Sequence, residues 1–229
     1  AHNTILVIGI GQPYSMQGYG NVMRAMGGDN LSYCLGDASK AYSGISTDPM
    51  WVEAFEAAGI TQTPENGFGS TPLTLYRRHV LMLHPDIVAI YDELEAKEAA
   101  RWDRVLHRPT EFSIDSNRQT VTTCYTEKAF TATTSLFSNE QITLSQTDRF
   151  TVPPTEASDT TYPNQWHLTA CIDGKAKTRI LAVIQIKPDN DTPVKIQRNG
   201  NILTCGYWTL EAGLDASSPA MLNVTHSMK

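Results

Sequence analysis

The sequence has little of several things that would point to a function at once. Cysteine is sparse: Cys34, Cys124, Cys171 and Cys205 stand far apart with no C-x-x-C pair, which excludes zinc-finger spacing and a disulfide scaffold. Unpaired cysteine packs as a small hydrophobe, so four buried free thiols in strands are expected. Long apolar runs are missing as well. None exceeds five residues, against the roughly 20 that a membrane-spanning helix needs. A basic stripe is absent too: the net charge is −6 with acidic and basic residues intermixed, so nucleic acid is not expected as a partner. There is no repeat, no low-complexity tract and no G-x-S-x-G nucleophile elbow. The glycines of "IGIGQP" are followed by "YSMQGYG", not by the helix that a phosphate-cradling loop requires.

What remains is β texture. An apolar fraction of 41% and a charged fraction of 18% in 229 residues describe an ordinary globular chain, long enough for one large all-β domain. Blocks of β-branched and aromatic residues alternate with turn signals. Strands are predicted at 4–8, 31–35, 73–83, 87–93, 101–107, 112–115, 120–126, 130–136, 142–146, 165–170, 179–185, 195–198, 202–205 and 207–211. "DELEAKEAA" lies between two of these blocks and is expected to be a long strand connection. His84-Pro85-Asp86, Asp115-Ser116-Asn117, Asp173-Gly174-Lys175 and Asn199-Gly200-Asn201 supply the turns. One short helix is expected in "DPMWVEAFEAAGI", with Asp48 at its N-cap and Gly59 at its C-cap. "TVPPTEASDTTYPNQ" reads as a Pro-rich surface loop. So many strands predict two large antiparallel sheets packed face to face, a single sandwich domain over 1–229.

Six histidines are available for chemistry. His2 precedes the first strand, Asp37 ends a strand in "CLGDASKAY", and His107 closes one before Pro109. Two imidazoles and a carboxylate form a common divalent-metal set that zinc takes readily, although spacing alone does not bring these three together.

"AHNTILVIGIGQ", "LSYCLGDASKAY", "LYRRHVLMLHPDIVAIYDELEA" and "RWDRVLHRP", in that order, resemble the C-terminal β-sandwich region of heparinase II/III-like polysaccharide lyases, a group that includes alginate and heparan lyases. The resemblance covers about residues 1–110, and "NQWHL" extends it more loosely. Two departures stand out. Ile8-Gly9 replaces an Asp-Gly turn, and residues 12–30 and 43–72 lengthen the pattern, the second as a possible lid or rim.

The resemblance implies an upstream (α/α) toroid that carries the main acid and base, and a sandwich that forms the other wall of the cleft. On that basis the chain reads as a piece of a larger protein, cut just before a strand and inactive alone. It further implies a possible structural zinc at His2, Asp37 and His107, an acidic polysaccharide or oligosaccharide as partner, and a periplasmic or secreted location. Asn3, Tyr14, Arg24 and Tyr42 lie near the matched motifs and are the candidate substrate-wall residues. A competing possibility is a non-catalytic carbohydrate-binding sandwich stacking sugars on Trp51, Trp166, Tyr207 and Trp208. A mutarotase-like epimerase shares the sandwich shape but needs a histidine and a carboxylate facing one concave sheet.

Overall fold

The computed structural model describes residues 3–13, 15–42, 44–125, 129–149, 165–189 and 191–227. The predicted 151–165 loop therefore lies almost wholly outside the described residues. Two antiparallel sheets account for nearly all regular structure, in agreement with the sandwich expectation.

Two strands organise the larger sheet. β5 (Ile87–Arg108) absorbs both predicted blocks and the connection between them in 22 residues. β10 (Trp166–Pro188) pairs with it antiparallel from Trp166↔Arg108 to Gln185↔Ile87. One half of this ribbon is flanked by β4 (Leu73–Leu83), β3 (Leu31–Lys40) and β2 (Tyr19–Gly27) on one side. On its other side lie β8 (Phe130–Phe137), β7 (Thr120–Tyr125) and β6 (Ser113–Asp115). The other half is flanked by β1 (Ile5–Val7) and β9 (Thr143–Thr147).

The ribbon doubles back on itself. Asp92 and Arg104 lie on the same strand and would be about 40 Å apart if β5 ran straight, yet their side chains are hydrogen-bonded. The bend falls where the register jumps, from Lys177↔Glu95 to Lys175↔Ala100. Asp173-Gly174-Lys175, expected as a turn between strands, is instead part of this bulged bend inside β10, with Gly174 at φ 68°. An inserted residue bends a strand without ending it. The fold-back buries Ile5, Val7, Trp102 and Ile172 from one half against Tyr76, Leu94, Ile180 and Ala182 from the other.

The smaller sheet runs β11 (Gln197–Asn199), β12 (Ile202–Cys205), β13 (Trp208–Ala212) and β14 (Leu222–His226). Its Leu203, Trp208 and Leu210 cover the opposite face of the large sheet at Leu81, Ala89, Tyr91, Leu181 and Val183.

Two strands were absent from the sequence prediction, β2 and β14. β2 has every residue exposed, so it lacks the apolar alternation that marks a half-buried strand. The segment 43–72 carries helix α1 (Pro49–Ala57), capped by Asp48 on Met50 N at 3.0 Å. Its C-cap is Ala58, with Gly59 one position beyond at φ 68°. Gly69 N to Gly44 O at 3.1 Å closes the segment, and Gly11 N to Gly67 O at 3.2 Å docks it on the amino-terminal strand. The cysteines are free and lie in strands, but only Cys205 is buried. Cys34 and Cys171 are half-buried and Cys124 is exposed.

Candidate functional site

The amino-terminal seam gathers a set of polar groups fixed by hydrogen bonds. β1 lies along the second half of β5 with Ile5 opposite Arg104, and Val105 N donates to Thr4 O at 2.9 Å. One residue earlier the pairing passes from backbone to side chain. Asn3 Oδ1 accepts from His107 N at 2.8 Å and faces His107 Nδ1 at 3.2 Å. With the carbonyl oxygen of the amide committed inward, its NH2 end becomes a donor of fixed direction.

The backbone of Asn3 is held as firmly. Arg78 Nη1 donates to Asn3 O at 2.9 Å. The same guanidinium forks onto fully buried Asp92, Nε to Oδ1 at 2.6 Å and Nη2 to Oδ2 at 3.0 Å, while Arg104 Nη1 donates to Oδ2 from the other half of β5. Burial drags Arg104 below its ordinary pKa, with the Arg78 charge adding to the fall. Burial also works against Arg78, but the Asp92 charge and hydrogen bonds, with the Tyr76 and Tyr42 phenols, together outweigh it and raise that group. The difference is one of position: Arg78 keeps partial solvent contact and two of the three hydrogen bonds.

Tyr42 OH donates to Ile5 O and packs near Tyr76, ring centroids 6.1 Å apart. Burial drives both phenols far above their ordinary range, so neither is a proton carrier near neutrality. Beside Asn3, the His107 and His167 rings meet edge-on at 4.5 Å, as direct partners across β5 and β10. Burial lowers the His167 pKa.

Of the residues singled out in the sequence, Asn3 and His107 are in direct contact and Tyr42 anchors the same strand. His2 and Tyr14 lie outside the described residues. Asp37 and Arg24 are elsewhere, on β3 and β2. Asp37 Oδ2 accepts from Arg77 Nε at 3.1 Å and Oδ1 from Ser39 N at 3.0 Å. Burial opposes ionisation of Asp37, but these hydrogen bonds bring its pKa below the ordinary carboxylate value.

Asp37 lies opposite Arg77, on the face with Glu93, whereas Arg78 faces Asp92 and the seam. Asp37 and His107 therefore do not fit a shared metal as they stand, because Asp37 would first have to leave Arg77. Among the described residues, no three His, Cys, Asp or Glu side chains stand together as a metal site. No chemical step is derived through a metal. The four aromatic residues suggested for sugar stacking do not share a described surface: Trp208 is only 5% exposed and packs in the core, and Trp166 packs against Phe112, Val121 and Leu168.

A second polar chain was missed in the sequence. Tyr33 OH bonds His79 Nδ1 at 2.9 Å, and His79 Nε2 bonds Glu93 Oε1 at 2.6 Å. Burial favours a protonated Glu93, but the His79 hydrogen bond and the His79, Arg179 and Arg77 charges bring its pKa below the usual value. An ionised carboxylate can only accept, so His79 Nε2 donates to Glu93. Burial raises the Tyr33 phenol against the pull of the Arg24 charge. The available signal was strand parity: once β3, β4 and β5 are neighbours, Tyr33, His79 and Glu93 fall on one face.

No family model matches the chain, and no curated protein does. Solved structures do. Heparan sulfate lyase HepC from Pedobacter heparinus superposes with a TM-score of 0.60 at 9% identity, over 98% of this chain and 30% of that one. A heparinase III structure gives 0.60 at 12% identity over 98% and 29%, and another gives 0.57 at 13% over the same shares. The chain thus spans less than a third of the length of these lyases, and it has the fold of a β-sandwich region resembling part of them.

Proposed function

We propose that the chain is the sandwich half of a polysaccharide lyase acting on uronic-acid-containing glycans by β-elimination. In that reaction the C5 proton is removed, the C4–O bond breaks and an unsaturated sugar remains. The proton is weakly acidic until donors neutralise the neighbouring carboxylate, and a base and an acid must flank the carbon. The observation that carries the reading is Asn3, locked between His107 and Arg78 on a sandwich shared with known lyases.

In this reading the Asn3 amide donates to the sugar carboxylate or a hydroxyl. His107, whose backbone N donates to Asn3 Oδ1 and whose Nδ1 faces it, fixes the direction in which that amide points. Arg78 and Asp92 act behind Asn3, holding its backbone. The principal acid and base come from an upstream toroid of the same protein, so the 229 residues alone have no turnover. Secretion or periplasmic residence goes with a substrate of this kind.

Turnover of heparan sulfate, alginate and hyaluronan, followed by ultraviolet absorbance of the unsaturated product, tests the proposal. Cleavage by the complete protein and none by the isolated chain is expected. Efficient turnover by the isolated chain would contradict the split site, and no turnover by the complete protein would contradict the lyase assignment. In the latter case a non-catalytic carbohydrate-binding sandwich becomes the better reading.

A further inference from the structure

The face of the large sheet carrying Tyr33, His79 and Glu93 has a polar order that the seam does not use. Asn21, Asp37, Arg77, Glu93 and Arg179 are successive direct partners across β2, β3, β4, β5 and β10. Directly opposite residues of antiparallel strands share a face. The row therefore presents an amide, a carboxylate, a guanidinium, a carboxylate and a guanidinium in line. The adjacent row brings Arg24 and His79 onto the same face.

The carboxylates of these rows are already answered. Asp37 is held by Arg77 Nε and Ser39 N, and Glu93 by His79. Glu95, beside the row, pairs with Lys177 at 3.0 Å and approaches Arg179 Nη2 only to 3.9 Å. The guanidiniums are less fully used. Arg77 commits Nε to Asp37, and its side chain is 42% exposed. Arg24 is exposed on β2 with its charge felt at Tyr33. Arg179 is 3% exposed, and its Nε and Nη1 have no hydrogen-bond partner among the described residues. Buried donors without acceptors are costly, and guanidiniums match the paired oxygens of an oxyanion.

We infer that this face is a second saccharide site, taking the oxyanion-bearing sugar of an acidic glycan and distinct from the seam. Arg77 and Arg24 contact the carboxylate or sulfate. Tyr33 and Asn21 exchange hydrogen bonds with ring hydroxyls, while His79, whose two ring nitrogens are taken by Tyr33 and Glu93, senses the sugar through Tyr33. Against its burial, Glu93 is kept ionised by the His79 hydrogen bond first and by the Arg179 charge beside it, so the row keeps its alternation. The choice of an acidic over a neutral sugar rests on the two accessible guanidiniums, Arg24 and Arg77, and on the acidic-glycan reading above.

The test uses three probes with the purified protein: a hyaluronan tetrasaccharide for the carboxylate alone, a heparin tetrasaccharide for carboxylate with sulfate, and cellotetraose as the neutral control. Calorimetry gives affinity, and the imidazole resonances of His79 report the site. Both acidic probes, or whichever bears the favoured oxyanion, should shift the His79 signals while cellotetraose leaves them still. R24Q and R77Q should each weaken binding about tenfold, the worth of one hydrogen bond to a charged group. N3A should leave the His79 shifts intact.

Acidic probes that leave His79 unmoved, an R24Q/R77Q double variant within twofold of the parent, or equal binding of cellotetraose would each overturn the inference. Arg24 is exposed on an edge strand, so R24Q keeps a folded reference, checked by its amide spectrum. Lyase turnover is scored separately. Cleavage with an unmoved His79 sinks only this site, and a shifted His79 without cleavage sinks only the lyase assignment.

Discussion

Asp92→Ala removes the one carboxylate that two guanidiniums share. Asp92 is fully buried, Arg104 is 2% exposed, and Arg78 has only partial access to water. Three charge-assisted hydrogen bonds disappear, and two like charges are left facing each other across the fold-back of β5. Breaking a buried ion pair from one side costs about 3–5 kcal/mol, most of it from the charge left uncompensated. For a chain of this length each kcal/mol lowers Tm by about 2–4 °C, so a fall of roughly 6–20 °C is expected.

Thermal unfolding followed by near-ultraviolet circular dichroism measures it. Hydrogen exchange at the Val105 amide, which donates to Thr4 O, should accelerate in the same variant because β1 loses its Arg78 anchor. The triple variant R78M/D92L/R104M, which removes all three charges, should recover much of the lost stability, since apolar replacement of buried ion triads is often neutral or better. A D92A protein within 1 kcal/mol of the parent would refute the reasoning.

Other consequences follow from single residues. Ile8 and Gly9 form the two-residue turn after β1 with φ of 52° and 82°, a left-handed pair that a β-branched residue adopts only under strain. Ile8→Asn should therefore raise stability by about 1 kcal/mol, read as a higher urea midpoint; a lower midpoint would contradict it. Because the Glu93 pKa is depressed on folding, its contribution is present above the ordinary glutamate value of 4.5 and drains as pH falls through the folded value. The stability gap between parent and E93Q should accordingly close toward acid, and a gap constant with pH would count against the ion pair. Metal analysis of protein purified without chelators should find well below one zinc per chain. One tightly held equivalent lost in both D37A and H107A would instead join those residues in a site.

The sandwich was legible because strand blocks such as 73–83 and 202–205 carry both a β-branched pattern and flanking turn residues, and they match β4 and β12 in extent. The bend was not. Nothing local distinguishes a Gly174 that ends a strand from one that bulges it, and only the core uniting Leu94 with Trp102 decides. β2 was hidden because an edge strand exposed on both faces has no apolar period to read. Of the site, Asn3 was legible as a neighbour of the matched motifs, and His107 stood inside one of them, where it read as a metal ligand rather than as the partner of Asn3. Asp37 was grouped with His107, but its position opposite Arg77 follows from the β3–β4 register, which the sequence does not display. Tyr33, His79 and Glu93 were unread for the same reason, since their proximity exists only once three strands are aligned.

The most direct measurement is Asn3→Ala in the complete protein, assayed for unsaturated product on heparan sulfate beside a thermal melt. Retained folding with kcat/KM reduced about tenfold or more, the loss of one directed donor to a developing charge, is the predicted outcome. A folded N3A protein that turns over within twofold of the parent would mean that the amino-terminal seam does not touch the substrate.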